Sequence, residues 1–283
     1  MKLPFHADFS GKVAVVTGGT GVLCSRMAEA IAMAGAKVCV IARNQEKIDA
    51  FVHDMEAKGL CVIGISADVI NREAMEKAKE TIHEKLGTID YLINGAGGSN
   101  PKGKTSRDQL TLEDYQDKSL TTFFNMKEED FDYTFDINFK ATLIPSQVFA
   151  EDMVGKEGCS IINFSSMNVP RPGGSLPAYG TGKAATTSLT YFMAGYFGKV
   201  GIRVNALNPG YYLTDFSYKV YHDENGNLNA KGQKVINHTP FGRFGNPDEL
   251  LGTVFYLLDS NLSGFVTGAV IPVDGGFSSS LGV

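Results

Sequence analysis

Tyr179 and Lys183 stand four residues apart, so on a helix the lysine ammonium lies one turn from the phenol and on the same face. A free tyrosine has a pKa of about 10 and is a poor base near neutrality, but a neighbouring cation favours the phenolate and brings it toward the working range. Such a phenol can take a proton from an alcohol or return one to a ketone. Ser165 and Ser166 follow the apolar run 161–164, which reads as a buried strand, and the Ser166 hydroxyl at that strand end can hold a substrate oxygen. A Tyr-x-x-x-Lys pair alone also marks many solvated helix faces, so its weight depends on what the other elements supply.

The first of those elements is the apolar run Val13–Thr17, followed by Gly18, Gly19, Thr20 and Gly21, with Val22 and Leu23 leading into a helical pattern over 23–34. Strand, glycine turn and helix N-terminus together make a phosphate site, because backbone N–H groups and the positive end of the helix dipole face the ligand. A second strand over 37–41 ends at Ala42, Arg43 and Asn44, where a dinucleotide fold meets the adenosine ribose. An acid there accepts from the ribose 2′-hydroxyl, whereas an arginine accommodates a 2′-phosphate. With Ala42 in place of the acid and Arg43 beside it, the pattern leans toward NADP(H) over NAD(H). The other reading of Arg43 is a surface residue that caps the strand or stacks on adenine.

Further helices over 46–58 and 72–86 alternate with strands over 61–66 and 89–93, and a long helix over 179–200 precedes a strand over 202–207. This alternation predicts a single-domain α/β fold over 1–283, a Rossmann-like doubly wound parallel sheet with helices on both faces. Right-handed crossovers leave the ligand crevice at the carboxyl ends of the strands. Gly18 to Gly21, Arg43, Asp68, Asn94 to Gly97 and Ser166 all fall at such ends.

The polar segment 98–130 leaves from the end of the fourth strand and is expected to overhang the reacting end of the site as a substrate-side insertion. Asn100 and Lys102 are its candidate substrate contacts. The proline-stiffened loop between Ser166 and Tyr179 carries Asn168 and Arg171, the latter suited to gripping a carboxylate bidentately. A closing strand is expected over 264–273.

At 283 residues the chain is ample for one buried core. A net charge of −5 gives no footing for nucleic acid or an anionic membrane. No stretch approaches the roughly 20 apolar residues of a membrane span and Met1 to Ser10 lacks an apolar signal core, so a cytoplasmic place is expected. Cys24, Cys39, Cys61 and Cys159 show no metal-ligand spacing and are expected as free thiols, with no metal.

Taken together, these residues resemble the short-chain dehydrogenase/reductase family over nearly the whole chain, with the active-site tetrad falling on Asn138, Ser166, Tyr179 and Lys183. The resemblance implies hydride transfer between a nicotinamide cofactor and a secondary alcohol or ketone. Tyr179 would be the general acid and base, Lys183 would lower its pKa and hold the nicotinamide ribose, Ser166 would orient the substrate oxygen, and the main-chain carbonyl of Asn138 would carry a proton relay. It also implies that Asp68 and Val69 meet the adenine, that Asn94, Gly95, Ala96 and Gly97 run along the ribose, and that Pro209, Gly210 and Thr214 flank the nicotinamide. Residues 211–240, opened by Tyr211, would form a substrate lid, and the assembly would be a homotetramer. Val22 and Cys24 replace two glycines of the family turn, and Gly95 replaces an asparagine.

Within the family, Leu3-Pro4-Phe5, the turn 17–23 and the stretch 94–102 resemble the bacterial D-mannonate oxidoreductases, also called fructuronate reductases, which implies a sugar-acid substrate. The rival readings are another sugar or polyol dehydrogenase, such as one acting on gluconate, and a dinucleotide-binding sensor without catalysis.

Overall fold

Val13 to Thr17 are apolar or small at every position and buried, and their side chains alternate between two cores: Ala14 and Val16 join one, Val13 and Val15 the other. A strand buried on both faces belongs in the middle of a layered sheet. In the computed structural model, which describes residues 7–279, this strand, β1 (Val13–Thr17), is the centre of a seven-stranded sheet. The others are β2 (Lys37–Ala42), β3 (Val62–Ser66), β4 (Tyr91–Asn94), β5 (Ser160–Phe164), β6 (Arg203–Pro209) and β7 (Val270–Val273). Their order is β3-β2-β1-β4-β5-β6-β7 and every pairing is parallel. The Leu3-Pro4-Phe5 stretch lies outside the described residues.

Helices α1 (Val22–Met33), α2 (Gln45–Ala57) and, late in the chain, Leu251–Leu258 cover one face, through Met27, Ile31, Met55, Val254 and Phe255. On the other face α3 (Arg72–Lys85) and two long helices at Glu128–Phe149 and Pro177–Phe197 bury Met75, Ile82, Phe149 and Met193. The chain runs outward from β1 to β3 and then crosses back to lay β4 beside β1, so strand order reverses between β1 and β4. That reversal opens a crevice at the carboxyl ends of the strands.

Two segments add to this frame. Residues 98–130 hold a 3-10 turn at Pro101–Gly103, the short helix α4 (Leu112–Gln116), closed at its start by a capping box between Thr111 and Asp114, and the beginning of the helix Glu128–Phe149. The long helices named above are then α5 (Glu128–Phe149) and α6 (Pro177–Phe197). The stretch after β6 forms α7 (Asp215–Tyr221) and α8 (Ala230–His238), joined by a turn at Gly226, whose φ of 80° is left-handed. Then come α9 (Leu251–Leu258) and the four-residue α10 (Ser260–Ser263). The closing strand is shorter than the expected 264–273. Gly268 turns the backbone at φ 77°, and the Thr267 hydroxyl accepts from Val204 N at 3.0 Å, so pairing with β6 starts only at Val270.

None of the described helices is long and apolar enough to cross a membrane. Among the described residues no cluster of His, Cys, Asp or Glu is placed to hold a metal. The four cysteines are free thiols.

Candidate active site

The carboxyl ends of β1 to β4 border a cleft of about 510 Å3. Arg43, Asn44, Lys47, Asp68 and Val69 line one end, Gly18 and Thr20 to Cys24 the middle, and Gly95, Ala96, Gly97 and Phe164 the other end. Gly18 has φ 65°, and Gly21 N donates back to Gly18 O at 2.8 Å, closing the turn. A Cβ on Gly18 would lie 3.0 Å from the Ala96 backbone, so only a bare glycine lets the turn press against the end of β4. The Thr17 hydroxyl fixes this contact by accepting from Gly95 N at 3.1 Å and Ala96 N at 3.2 Å.

Helix α1 starts directly on this cleft. Its N-cap is Gly21, with no side-chain cap and no acid in the first turn, so its leading N–H groups have no side-chain partner. An elongated cleft whose middle is a glycine turn and an uncapped helix N-terminus fits a dinucleotide, with the pyrophosphate on α1.

Two departures from the family pattern meet in space. A Cβ at Gly95 would stand 2.2 Å from the Cys24 sulfur. The thiol therefore fills the volume that a side chain at position 95 would need, and burial pushes it up to about 12, so it is a neutral packing group.

At the far end of the cleft, β5 and α6 bring the catalytic candidates together. Lys183 is buried on α6 and donates from Nζ to Phe164 O at 2.7 Å, and its Nζ is 5.9 Å from the centre of the Tyr179 ring. The Ser166 hydroxyl accepts from Asn168 N at 3.1 Å and lies near enough to the half-buried Tyr179 phenol to favour its phenolate. Asn138, wholly buried on α5, donates from Nδ2 to Gly98 O at 2.6 Å and accepts from Gly98 N at 3.2 Å. Its own carbonyl accepts from the Thr186 hydroxyl at 2.9 Å. A Cβ on Gly97 would lie 2.8 Å from Asn138 Oδ1 and 3.2 Å from Lys183 Nζ. Gly97 thus joins the cleft wall to the catalytic candidates.

Burial raises the Tyr179 phenol, and the Ser166 hydroxyl acts the other way. The lysine is itself stripped of water, which drives it down to about 8, so its charge is poorly supported in this arrangement.

The remaining candidates divide. Asn94 turns its side chain into the core, donating to Ser146 Oγ and Asn163 Oδ1 at 2.9 Å each, so it braces β4 against β5 and α5 while Gly95 to Gly97 face the cleft. Thr214 is the N-cap of α7, accepting from Ser217 N at 3.0 Å. Pro209 ends β6 and Gly210 follows it, where a Cβ on Gly210 would lie 2.6 Å from Asp274 Cα. Asn100 caps a short turn by accepting from Lys102 N, and Lys102 is exposed. Arg171 reaches the C-terminal segment, donating from Nε to Ser278 O at 3.3 Å, and Tyr211 packs edge-on against Phe277. Sequence reasoning missed Lys47. It lies one turn beyond the Asn44 side chain that caps α2, and that cap was the available signal.

A family model for short chain dehydrogenases matches residues 12–225. UxuB of Bacillus subtilis (strain 168), an uncharacterized oxidoreductase, is 41% identical over 99% of this chain and 100% of its own. The gluconate 5-dehydrogenase of Gluconobacter oxydans (strain 621H) is 31% identical over 99% of this chain and 100% of its own. A crystal structure from Haemophilus influenzae with bound NAD, provisionally named a D-mannonate oxidoreductase, superposes with a TM-score of 0.93 at 38% identity, covering 98% of each chain.

Proposed function

The chain belongs to the short-chain dehydrogenase family and is an NAD(P)-dependent oxidoreductase, and on that premise we propose that it interconverts D-fructuronate and D-mannonate, using NADP(H). The observation that carries the reading is the convergence of Tyr179, Ser166, Lys183 and Asn138 at one end of a dinucleotide-shaped cleft, joined to it through Gly97. The nicotinamide cofactor, when bound, gives or takes the hydride, and the chain does the rest. Ser166 holds the substrate oxygen against Tyr179. The phenol gives its proton to that oxygen in reduction and takes it back in oxidation. Lys183 would hold the nicotinamide ribose and, when it carries its charge, supports the phenolate, while Asn138 fixes the Gly97–Gly98 backbone beside both.

Arg43 and Lys47 give the adenosine end two cations and Ala42 gives it no acid, which supports NADP(H). The NAD bound to the Haemophilus neighbour supports NAD(H) as the alternative. Arg171 and Lys102 suit a carboxylate, with Asn100, Asn168 and Tyr211 as further substrate contacts, between an insertion at 98–130 and a lid at 211–240. The Gluconobacter relative favours a second reading, a dehydrogenase of the gluconate type. A cytoplasmic homotetramer completes the proposal. Initial rates with D-fructuronate and with 5-ketogluconate, each with NADPH and NADH, separate the readings. Turnover of fructuronate supports the first, and turnover of 5-ketogluconate alone replaces it with the second.

A further inference from the structure

Three segments that lie far apart in the chain meet at Asp108. Its Oδ2 accepts from Nζ of Lys234, on α8 of the lid, at 3.1 Å. Its Cβ and Cγ press on Gly174 in the loop between Ser166 and Tyr179, so a Cβ on Gly174 would lie 2.5 Å from each. Gly174 has no left-handed backbone, so the glycine is required there by space alone. Three residues earlier in the insertion, Thr105 N donates to Ser175 O at 3.2 Å, laying the same strap along the same loop. Thr105, Asp108, Gly174 and Pro177, the first residue of α6, line one cavity.

We propose that Asp108 is a positioning residue that latches the lid to the catalytic loop through Lys234, and so sets how often the substrate side of the site is closed. The inference rests on the reading of 211–240 as a substrate lid. Both side chains are well exposed, so the pair adds little to folding and is screened by salt. An exposed pair of this kind shifts an open–closed equilibrium by up to about fivefold, which is a useful range for a lid.

The test uses Asp108→Asn, Lys234→Gln and the charge exchange Asp108→Lys with Lys234→Asp, all in the full-length protein. Hydrogen exchange over 230–238 is the readout independent of turnover. Each single variant is expected to exchange about three- to fivefold faster than wild type at low salt, with the difference vanishing at about 1 M salt, where screening is within 3 Å. The charge exchange is expected to restore slow exchange, and KM for fructuronate is expected to follow the same order, rising more than kcat falls. Equal exchange in wild type and single variants, or no recovery in the exchanged pair, overturns the latch. Silence toward every sugar acid with the exchange pattern intact overturns the substrate reading and leaves the latch standing.

Discussion

Replacing Gly95 by alanine places a methyl 2.2 Å from the Cys24 sulfur and 3.0 Å from Thr17 O, where a carbon–sulfur contact needs roughly 3.5–4 Å. The overlap cannot be relieved by rotating a flexible side chain away, because Cys24 is buried at the start of α1 and faces the end of β4. Overpacking of this kind costs about 1–3 kcal/mol. Cys24→Gly alone loses a buried thiol and places a glycine in the first turn of α1, about 1–2 kcal/mol together. Independent effects would sum to about 2–5 kcal/mol in the double variant. The geometry predicts a smaller loss, with a coupling of about 1–2 kcal/mol, because the methyl then enters the space the sulfur has left. The chain has no tryptophan, so urea unfolding is followed by far-UV circular dichroism at one fixed protein concentration. Cofactor affinity measured by calorimetry should fall in Gly95→Ala and recover in the double variant, since the same contact shapes the cleft. Additivity within about 0.5 kcal/mol would refute the claim that the two positions share one volume.

Three further outcomes follow from the site. Arg43→Ala with Lys47→Ala should weaken NADPH binding about tenfold or more, while NADH changes by less than about threefold, since hydrogen bonds to charged groups contribute about 1.5–3 kcal/mol; equal losses for both cofactors would remove the case for a 2′-phosphate. An unfolded Lys183 keeps its proton up to about 10.5 but the buried one only to about 8, so between these values the unfolded state binds more protons and stability rises with pH. Relative to Lys183→Met, the cofactor-free wild type should therefore gain roughly 2 kcal/mol from pH 7.5 to 10 in urea melts, and a flat difference would contradict the burial argument. Gly174→Ala should raise KM for the sugar acid by about tenfold with little change in cofactor affinity, because the new methyl displaces Asp108 and the strap from the catalytic loop; an unchanged KM would mean that the strap does not bound the substrate chamber.

The sheet was legible because its central strands are short apolar runs buried on both faces, and several strands end in residues that face the cleft. Gly18, Arg43, Asp68 and Ser166 could be placed at one edge of the fold before any coordinates. The helices of 215–238 were not legible, since their starts are written only in the caps Thr214 and Asn229 and their apolar faces are small. The last strand was overextended because Val266 and Thr267 suit a strand by type, while Gly268 and the Thr267 hydroxyl bend that stretch away. Local sequence also could not reveal relations across long separations: the shared volume of Cys24 and Gly95, and the convergence of Asp108, Gly174 and Lys234. The strength of Lys183 as a partner for Tyr179 depends on burial, which residue type does not encode.

The most direct test of the catalytic claim is the rate of NADPH oxidation at 340 nm with D-fructuronate, for wild type and Tyr179→Phe side by side, with NADPH affinity measured on both. The phenylalanine keeps the ring and removes only the proton that the substrate oxygen receives, so kcat should fall by about 10²–10⁴ while NADPH affinity stays within about threefold. A Tyr179→Phe enzyme that turns fructuronate over at the wild-type rate would contradict the assignment of Tyr179 as the acid and base.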